Sequence, residues 1–140
     1  MKFEDLEAWQ CGRKLVNEIY ALMREPAPAK DFGLRDQIQR AAVSVMTNVA
    51  EGFERTGGSE KLHFYNIARA SCGEVRSLLY VVEDNYSTTA ETSAALRTHA
   101  IAVGKLLSGL IASTHRRQIG KAVGIILTIL VPVALLVSRR

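Results

Sequence analysis

The sequence predicts an all-α protein: an up-down antiparallel four-helix bundle carrying an additional apolar C-terminal helical tail. Three observations lead there. Apolar residues recur every three to four positions in four separate segments. The clearest chain breakers fall between those segments. No stretch shows the strict alternation of a half-buried strand. At 140 residues and 48% hydrophobic, the chain is one domain's worth of sequence, and this apolar content excludes disorder. Cys11 and Cys72 sit inside helix-forming runs with no Cys or His partner at ligand spacing. They therefore predict reduced thiols packed as small core residues in a cytoplasmic protein. Met1–Leu6 is charged and no apolar stretch follows it, so no cleavable signal is expected.

The first helix is predicted from about Leu6 to Arg24, with Trp9, Gly12, Val16, Ile19 and Met23 as its apolar stripe. Pro26 and Pro28 end it, because a proline pushes the residue before it out of the α region. The second runs from about Leu34 to Gly52 on the stripe Leu34, Ile38, Ala41, Val45 and Val49, and Gly57-Gly58 marks the turn after it. The third spans about Ser59 to Asn85, with Ser59 as the expected N-cap and Phe64, Ala68, Ser71, Val75, Leu78 and Val82 as its seam. The fourth opens on Thr88-Thr89-Ala90-Glu91, which fits a capping box between Thr88 and Glu91. Its seam is Leu96, Ala100, Val103, Leu107, Leu110 and Thr114. Short connections between four amphipathic helices predict antiparallel neighbours.

The bundle is expected to occupy residues 1–117 and the tail 118–140. From Ala122 to Val137 there are sixteen residues without a charge, bounded by Lys121 and by Arg139-Arg140. As a helix this run is about 24 Å long, short of a roughly 30 Å hydrocarbon core unless Ser138 is included and the flanking cations snorkel. Pro132 predicts a kink there, which membranes tolerate. Three readings fit the run at residues 122–138: a membrane anchor, a helix buried against other subunits, or an apolar tail with no role.

Charge is distributed unevenly. Residues 1–95 hold 11 Lys/Arg against all 14 Asp/Glu, whereas residues 96–140 hold 7 Lys/Arg and no acid. The basic balance thus belongs to the last third, where Arg97, Lys105, Arg116, Arg117 and Lys121 are candidate contacts for RNA or DNA phosphates. No aromatic stacking platforms are interleaved with them, so a solvated helix face is the competing reading.

Patterns for catalysis are missing. His63, His99 and His115 lie apart and none stands at metal-ligand spacing from a second His, Cys or carboxylate. Phosphate-binding glycine motifs and the nucleophile elbow are absent, and the Glu51/Glu54 pair reads as a solvated helix end. No cofactor is expected, and the chain reads as a non-enzyme.

One polar constellation is informative. Gln37, Arg40, Ser44, Asn48, Glu51 and Gly52 form a stripe beside the apolar seam of the second helix. If helices two and three form a hairpin centred near Thr56, Glu51 faces Lys61, Asn48 faces Phe64-Tyr65, Ser44 faces Ala68-Arg69, and Arg40 faces Cys72-Gly73-Glu74. The expected network has Arg69 bridging to the Ser44/Asn48 face and Arg40 meeting Glu74. Such groups need partners, since a buried unsatisfied one costs about 1–3 kcal/mol. Their role is expected to be setting register, with a ligand or nucleic-acid surface as the alternative.

The same stretch carries a resemblance. Phe3-x-x-Leu6-x-x-Trp9, Gln37-Ile38-x-Arg40-Ala41-Ala42, Ser44-x-x-x-Asn48-x-x-Glu51-Gly52 and Phe64-x-x-Ile67-Ala68-x-x-Ser71-x-x-Glu74 are similar to motifs of the four helix bundle protein family. That family includes proteins encoded by intervening sequences in bacterial 23S ribosomal RNA genes and the accessory variability determinant of diversity-generating retroelements. The resemblance covers about residues 1–117. It implies an up-down bundle assembled as a ring-like homopentamer without enzyme activity, with Gln37, Ser44, Asn48, Glu51 and Gly52 as structural and interface residues. The retroelement member binds nucleic acid and a reverse transcriptase through basic residues. The mildly acidic body of this chain departs from that pattern, and the apolar tail lies outside it. The functional expectation is an oligomeric binding or scaffold module with weak, sequence-independent nucleic-acid binding through the fourth helix. The alternative is a membrane-tethered or purely structural assembly whose partner is another protein.

Overall fold

Two prolines and two short connections decide where the chain turns. A computed structural model describes the backbone of residues 1–137, with side chains through Ile126 and at Thr128. Ser138 and the expected Arg139-Arg140 flank lie outside the described residues. After a 3₁₀ turn at Phe3–Asp5, α1 runs Glu7–Leu22, α2 Phe32–Glu54, α3 Gly58–Asn85 and α4 Ala90–Val137. No strand occurs among the described residues. Each helix packs on its sequence neighbours and α1 also meets α4, which closes an up-down bundle.

Gly12, Ile19 and Met23 of the expected α1 stripe are buried, but at its other two positions the neighbours Ala8 and Leu15 take the core place. Leu15, Ile19 and Leu22 are fully enclosed with Ala8 and Gly12, while Trp9 and Val16 lie half-buried at its edge. Trp9 is held there by the Phe3 ring at 5.2 Å and by the Arg13 guanidinium 5.8 Å from its centroid. α1 stops before Pro26, and Pro28 opens a second 3₁₀ turn, Pro28–Lys30. Asp31 then caps α2: one carboxylate oxygen accepts from Leu34 N–H at 3.1 Å, and the other accepts from the Tyr86 hydroxyl at 2.9 Å. One side chain thereby starts α2 and ties it to the end of α3.

The core is aliphatic. Ile38, Val45 and Val49 of α2 meet Val75, Leu79 and Val82 of α3 and Val103 and Leu107 of α4, with Ala41, Ala42, Ala68 and Ala100 allowing close approach. A smaller cluster of Leu62, Tyr65 and Ile111 closes the end of the bundle near the α2–α3 turn.

Two expected caps are corrected. α3 begins at Gly58 after Gly57, so Ser59 lies inside the first turn and its hydroxyl accepts from Gln118 at 3.4 Å. Thr88 does not cap α4. It belongs to a 3₁₀ turn, Ser87–Thr89, in which the Thr89 hydroxyl donates to Tyr86 C=O at 2.7 Å, and α4 starts only at Ala90.

α4 is the unusual element. Its 48 residues rise about 72 Å against about 42 Å for the 28 residues of α3. It passes Arg117 without a break and continues through Pro132 to Val137. The apolar run is thus an extension of the fourth helix rather than a separate element.

Candidate binding faces of the bundle

The α2–α3 seam holds the polar stripe. Ser44 Oγ and Ser71 Oγ lie 2.8 Å apart across the two helices, and the Ser71 hydroxyl also reaches Ile67 C=O at 3.0 Å. Asn48 Nδ2 donates to Ser44 C=O at 2.8 Å and to Ser44 Oγ at 3.0 Å. Gln37 Nε2 donates to Glu74 at 3.0 Å near the other end of the same seam. Gly52 is buried because Tyr65 covers it: a Cβ placed there would meet the Tyr65 ring at 2.6 Å and Lys61 C=O at 3.2 Å. Lys61 folds over the end of α2, its ammonium donating to Phe53 C=O at 2.6 Å and Gly52 C=O at 3.4 Å, where a helix C-terminus favours a cation.

Two expected cross-helix pairs do not form, and Glu51, placed opposite Lys61, takes another partner. Arg40 is exposed and pairs with Asp36 one turn earlier on α2, at 3.4 Å, instead of with Glu74. Arg69 donates to Asn66 on its own helix at 3.2 Å and does not reach Ser44 or Asn48. Glu51 pairs with Arg55, not Lys61. In each case a long exposed side chain takes a partner three or four residues away, since reaching across solvent costs rotamer freedom for little gain.

The candidate phosphate contacts also separate. Arg97 is half-buried, ion-paired with Glu83 of α3 and lying 4.2 Å from the Tyr80 ring centroid, so it is a structural strut rather than a free cation. Lys105, Arg116, Arg117 and Lys121 are exposed. Lys105 lines an open groove of about 380 Å³ between α3 and α4 with Arg69 and Arg76. Gly73 and Gly104 leave this groove open, with nothing described within 4 Å of a Cβ placed on either. Among the described residues no carboxylate lines it. Arg117 and Lys121 instead line a second concavity of about 490 Å³, where α4 leaves the bundle, together with Thr56, Gly58, Lys61 and Gln118. Sequence spacing could not show either, because each joins residues about 25 or more positions apart. A third concavity of about 570 Å³ between α1 and α4 is lined by Lys14, Glu18 and His99. There the Glu18 carboxylate is shared between Lys14 at 3.9 Å and the His99 ring.

Reactive chemistry finds little support in these faces. Among the described residues no group of three His, Cys, Asp or Glu is placed to hold a metal ion. Burial pushes the Cys72 thiol up to about 11 despite the nearby Arg76 charge, which keeps it protonated at neutral pH. Burial likewise raises the Tyr65 phenol, partly offset by Arg117. Tyr86 is raised by the hydrogen bond it donates to Asp31.

Comparison with known proteins agrees with this architecture. Among solved structures, the chain is similar to a protein of unknown function from the S23 ribosomal protein family of Bacteroides thetaiotaomicron VPI-5482. The two are 22% identical, with a TM-score of 0.63 over 74% of this chain and 94% of that one, a likeness of fold. No curated protein matches. The 23S rRNA-intervening sequence protein family matches residues 4–109, which takes in all of α1 to α3 and the bundled part of α4 up to Gly109. Over that span the chain belongs to the 23S rRNA-intervening sequence protein family.

Proposed function

We propose that the protein is a non-enzymatic, self-associating scaffold module held at a membrane by the extension of α4. The observation that carries this reading is that α4 does not stop where the bundle does. Thr114 is its last buried residue and Gln118 its last half-buried one among those described. Beyond them Ile119 is 64% exposed, Val123 48%, Ile125 61% and Ile126 52%. Fully burying one such side chain is worth about 1.5–3 kcal/mol, so an aqueous extension forgoes several such terms at once. From Lys121 to Val137 the helix rises about 24 Å, close to a hydrocarbon core once its flanking cations snorkel. Self-association is supported by Tyr80, Val81 and Ile101, which expose apolar surface on α3 and α4. A ring of copies would multiply the anchor, so weak single insertions would add to firm attachment.

Flotation of the full chain with phosphatidylcholine vesicles tests this. The expected result is co-flotation without detergent, lost on replacing Ile125 and Ile126 with Lys. A full chain that stays monomeric and soluble at the bottom of the gradient rejects both halves of the proposal.

A second reading, contact with RNA or DNA phosphates, is favoured by the open groove of Arg69, Arg76 and Lys105. Three cations predict a salt dependence of only about −2.5 to −3 in log–log slope per subunit on duplex DNA, and no sequence preference. Filter binding at low and high salt decides it, and no retention at low salt removes it.

A further inference from the structure

We infer that the concavity where α4 leaves the bundle is a binding site for the phosphate-bearing headgroup of an anionic lipid. Its lining combines the α2–α3 turn, through Thr56, Gly58 and Lys61, with one turn of α4, through Arg117, Gln118 and Lys121. Among the described residues three cations converge on about 490 Å³ and no carboxylate lines it. Glu60, the acid in the first turn of α3, faces a neighbouring surface with Arg55 and His63 instead.

The walls are built rather than incidental. The Lys61 ammonium is pinned by the two α2 carbonyls it reaches, and an ammonium with three donors keeps one for a ligand. The Gln118 amide reaches Ser59 at 3.4 Å, bracing α4 against the start of α3. The Gln118 side chain passes over Gly58, and a Cβ there would stand 2.4–2.7 Å from it and make its flexible end move. Arg117 supplies a planar fork suited to two phosphate oxygens and Lys121 a compact charge. Position supplies the identity of the ligand. Lys121 is the last charged residue before the uncharged run from Ala122 to Val137. If that run enters a bilayer, Lys121 stands at the hydrocarbon boundary and Arg117 about a turn and a half from it, at the depth of the headgroups.

This inference rests on the membrane-tether reading, so the experiment separates the two. The full chain is floated with vesicles of phosphatidylcholine alone and with vesicles containing phosphatidylserine, at constant ionic strength. Binding to the neutral vesicles reports the tether, and the ratio of anionic to neutral binding reports the site. A basic residue near such a surface is worth about fivefold in binding, so Arg117→Gln with Lys121→Gln should cut the ratio about 25-fold, and because Lys121 also flanks the spanning run it is the ratio, not the neutral binding itself, that reads the site. Arg76→Gln with Lys105→Gln removes the same charge from the other groove and should leave the ratio within about fivefold. Equal loss in both double variants would reduce the effect to net charge and overturn the site. A ratio near one for the unsubstituted chain overturns it as well. Inorganic phosphate, matched in ionic strength by chloride, should leave the ratio intact, and its collapse would assign the concavity to a free phosphate instead. No binding to either vesicle overturns the tether and this inference together.

Discussion

Gly52 and Gly120 both lie inside helices, yet they mean opposite things. A Cβ on Gly52 would strike the Tyr65 ring and crowd Lys61 C=O, whereas nothing described lies within 4 Å of a Cβ on Gly120 or Gly124. The α2–α3 seam is specified by its neighbours. There the glycine, the Ser44–Ser71 bond and the Lys61 contacts each depend on one pairing of two helices. The described part of the α4 extension makes no such pairing among the described residues, so its helix rests there on local propensity. One sequence thus holds a region that carries its own solvent boundary and a region for which the proposed tether would supply one.

The largest expected effect puts equivalent deletions in the two regions. Leu79 is fully enclosed, and Leu79→Ala should cost about 2–5 kcal/mol through lost transfer energy and a cavity. Ile125 is 61% exposed, and Ile125→Ala in detergent-free solution should change stability by less than about 0.5 kcal/mol. Urea unfolding of both variants measures this. A comparable loss at Ile125 would mean that another copy of the chain covers the extension in solution, which would replace the bilayer as its boundary.

Next come the glycines themselves. Gly52→Ala should destabilise by about 1–3 kcal/mol, because the Tyr65 ring and the Lys61 backbone must give way. Gly120→Ala should stabilise by up to about 1 kcal/mol from helix propensity alone. Thermal unfolding of the two variants reads the sign directly. A neutral Gly52→Ala would show that the α2–α3 seam is less tightly matched than its geometry implies.

The parts of this contrast that could be read from the sequence are those fixed by periodicity. Ile38, Ala41, Val45 and Val49 are all buried, as the α2 stripe requires, and a hairpin centred near Thr56 puts Lys61 against the end of α2. Side-chain choices within that frame were not legible. Arg40 and Arg69 turn to Asp36 and Asn66 because a helix always offers a partner one turn away, and spacing cannot say which rotamer wins. On α1 only Trp9 and Val16 of the expected stripe sit at the edge rather than in the core, and Trp9 is held there by Phe3 and Arg13, a tertiary contact that an apolar count does not contain. The capture of Arg97 by Glu83 needed the α3–α4 register, and the exit concavity needed residues 56–61 and 117–121 brought together. Of the candidate contacts, composition could find the basic third of the chain but not which of its cations were free.

The smallest effect tests closure of the seam by titration. Cys72 is buried on α3, and its thiol is pushed up to about 11 by that burial, with Arg76 pulling weakly the other way. In the unfolded chain the same thiol ionises near its ordinary value of 9.0. Below that value both states hold the proton and stability does not depend on the group. As pH rises past it, the unfolded chain releases the proton and the folded chain keeps it, so unfolding becomes more favourable. Between pH 8 and pH 10 this linkage should cost about 1 kcal/mol. Tyr65, also raised by burial, adds a loss of the same sign at higher pH, but it is common to the unsubstituted protein and to Cys72→Ala. Urea titrations at the two pH values therefore isolate the thiol as the difference in slope between them. If the slopes coincide, water reaches Cys72 from the Arg69–Lys105 groove, and the bundle is more open along α3 and α4 than along α2 and α3.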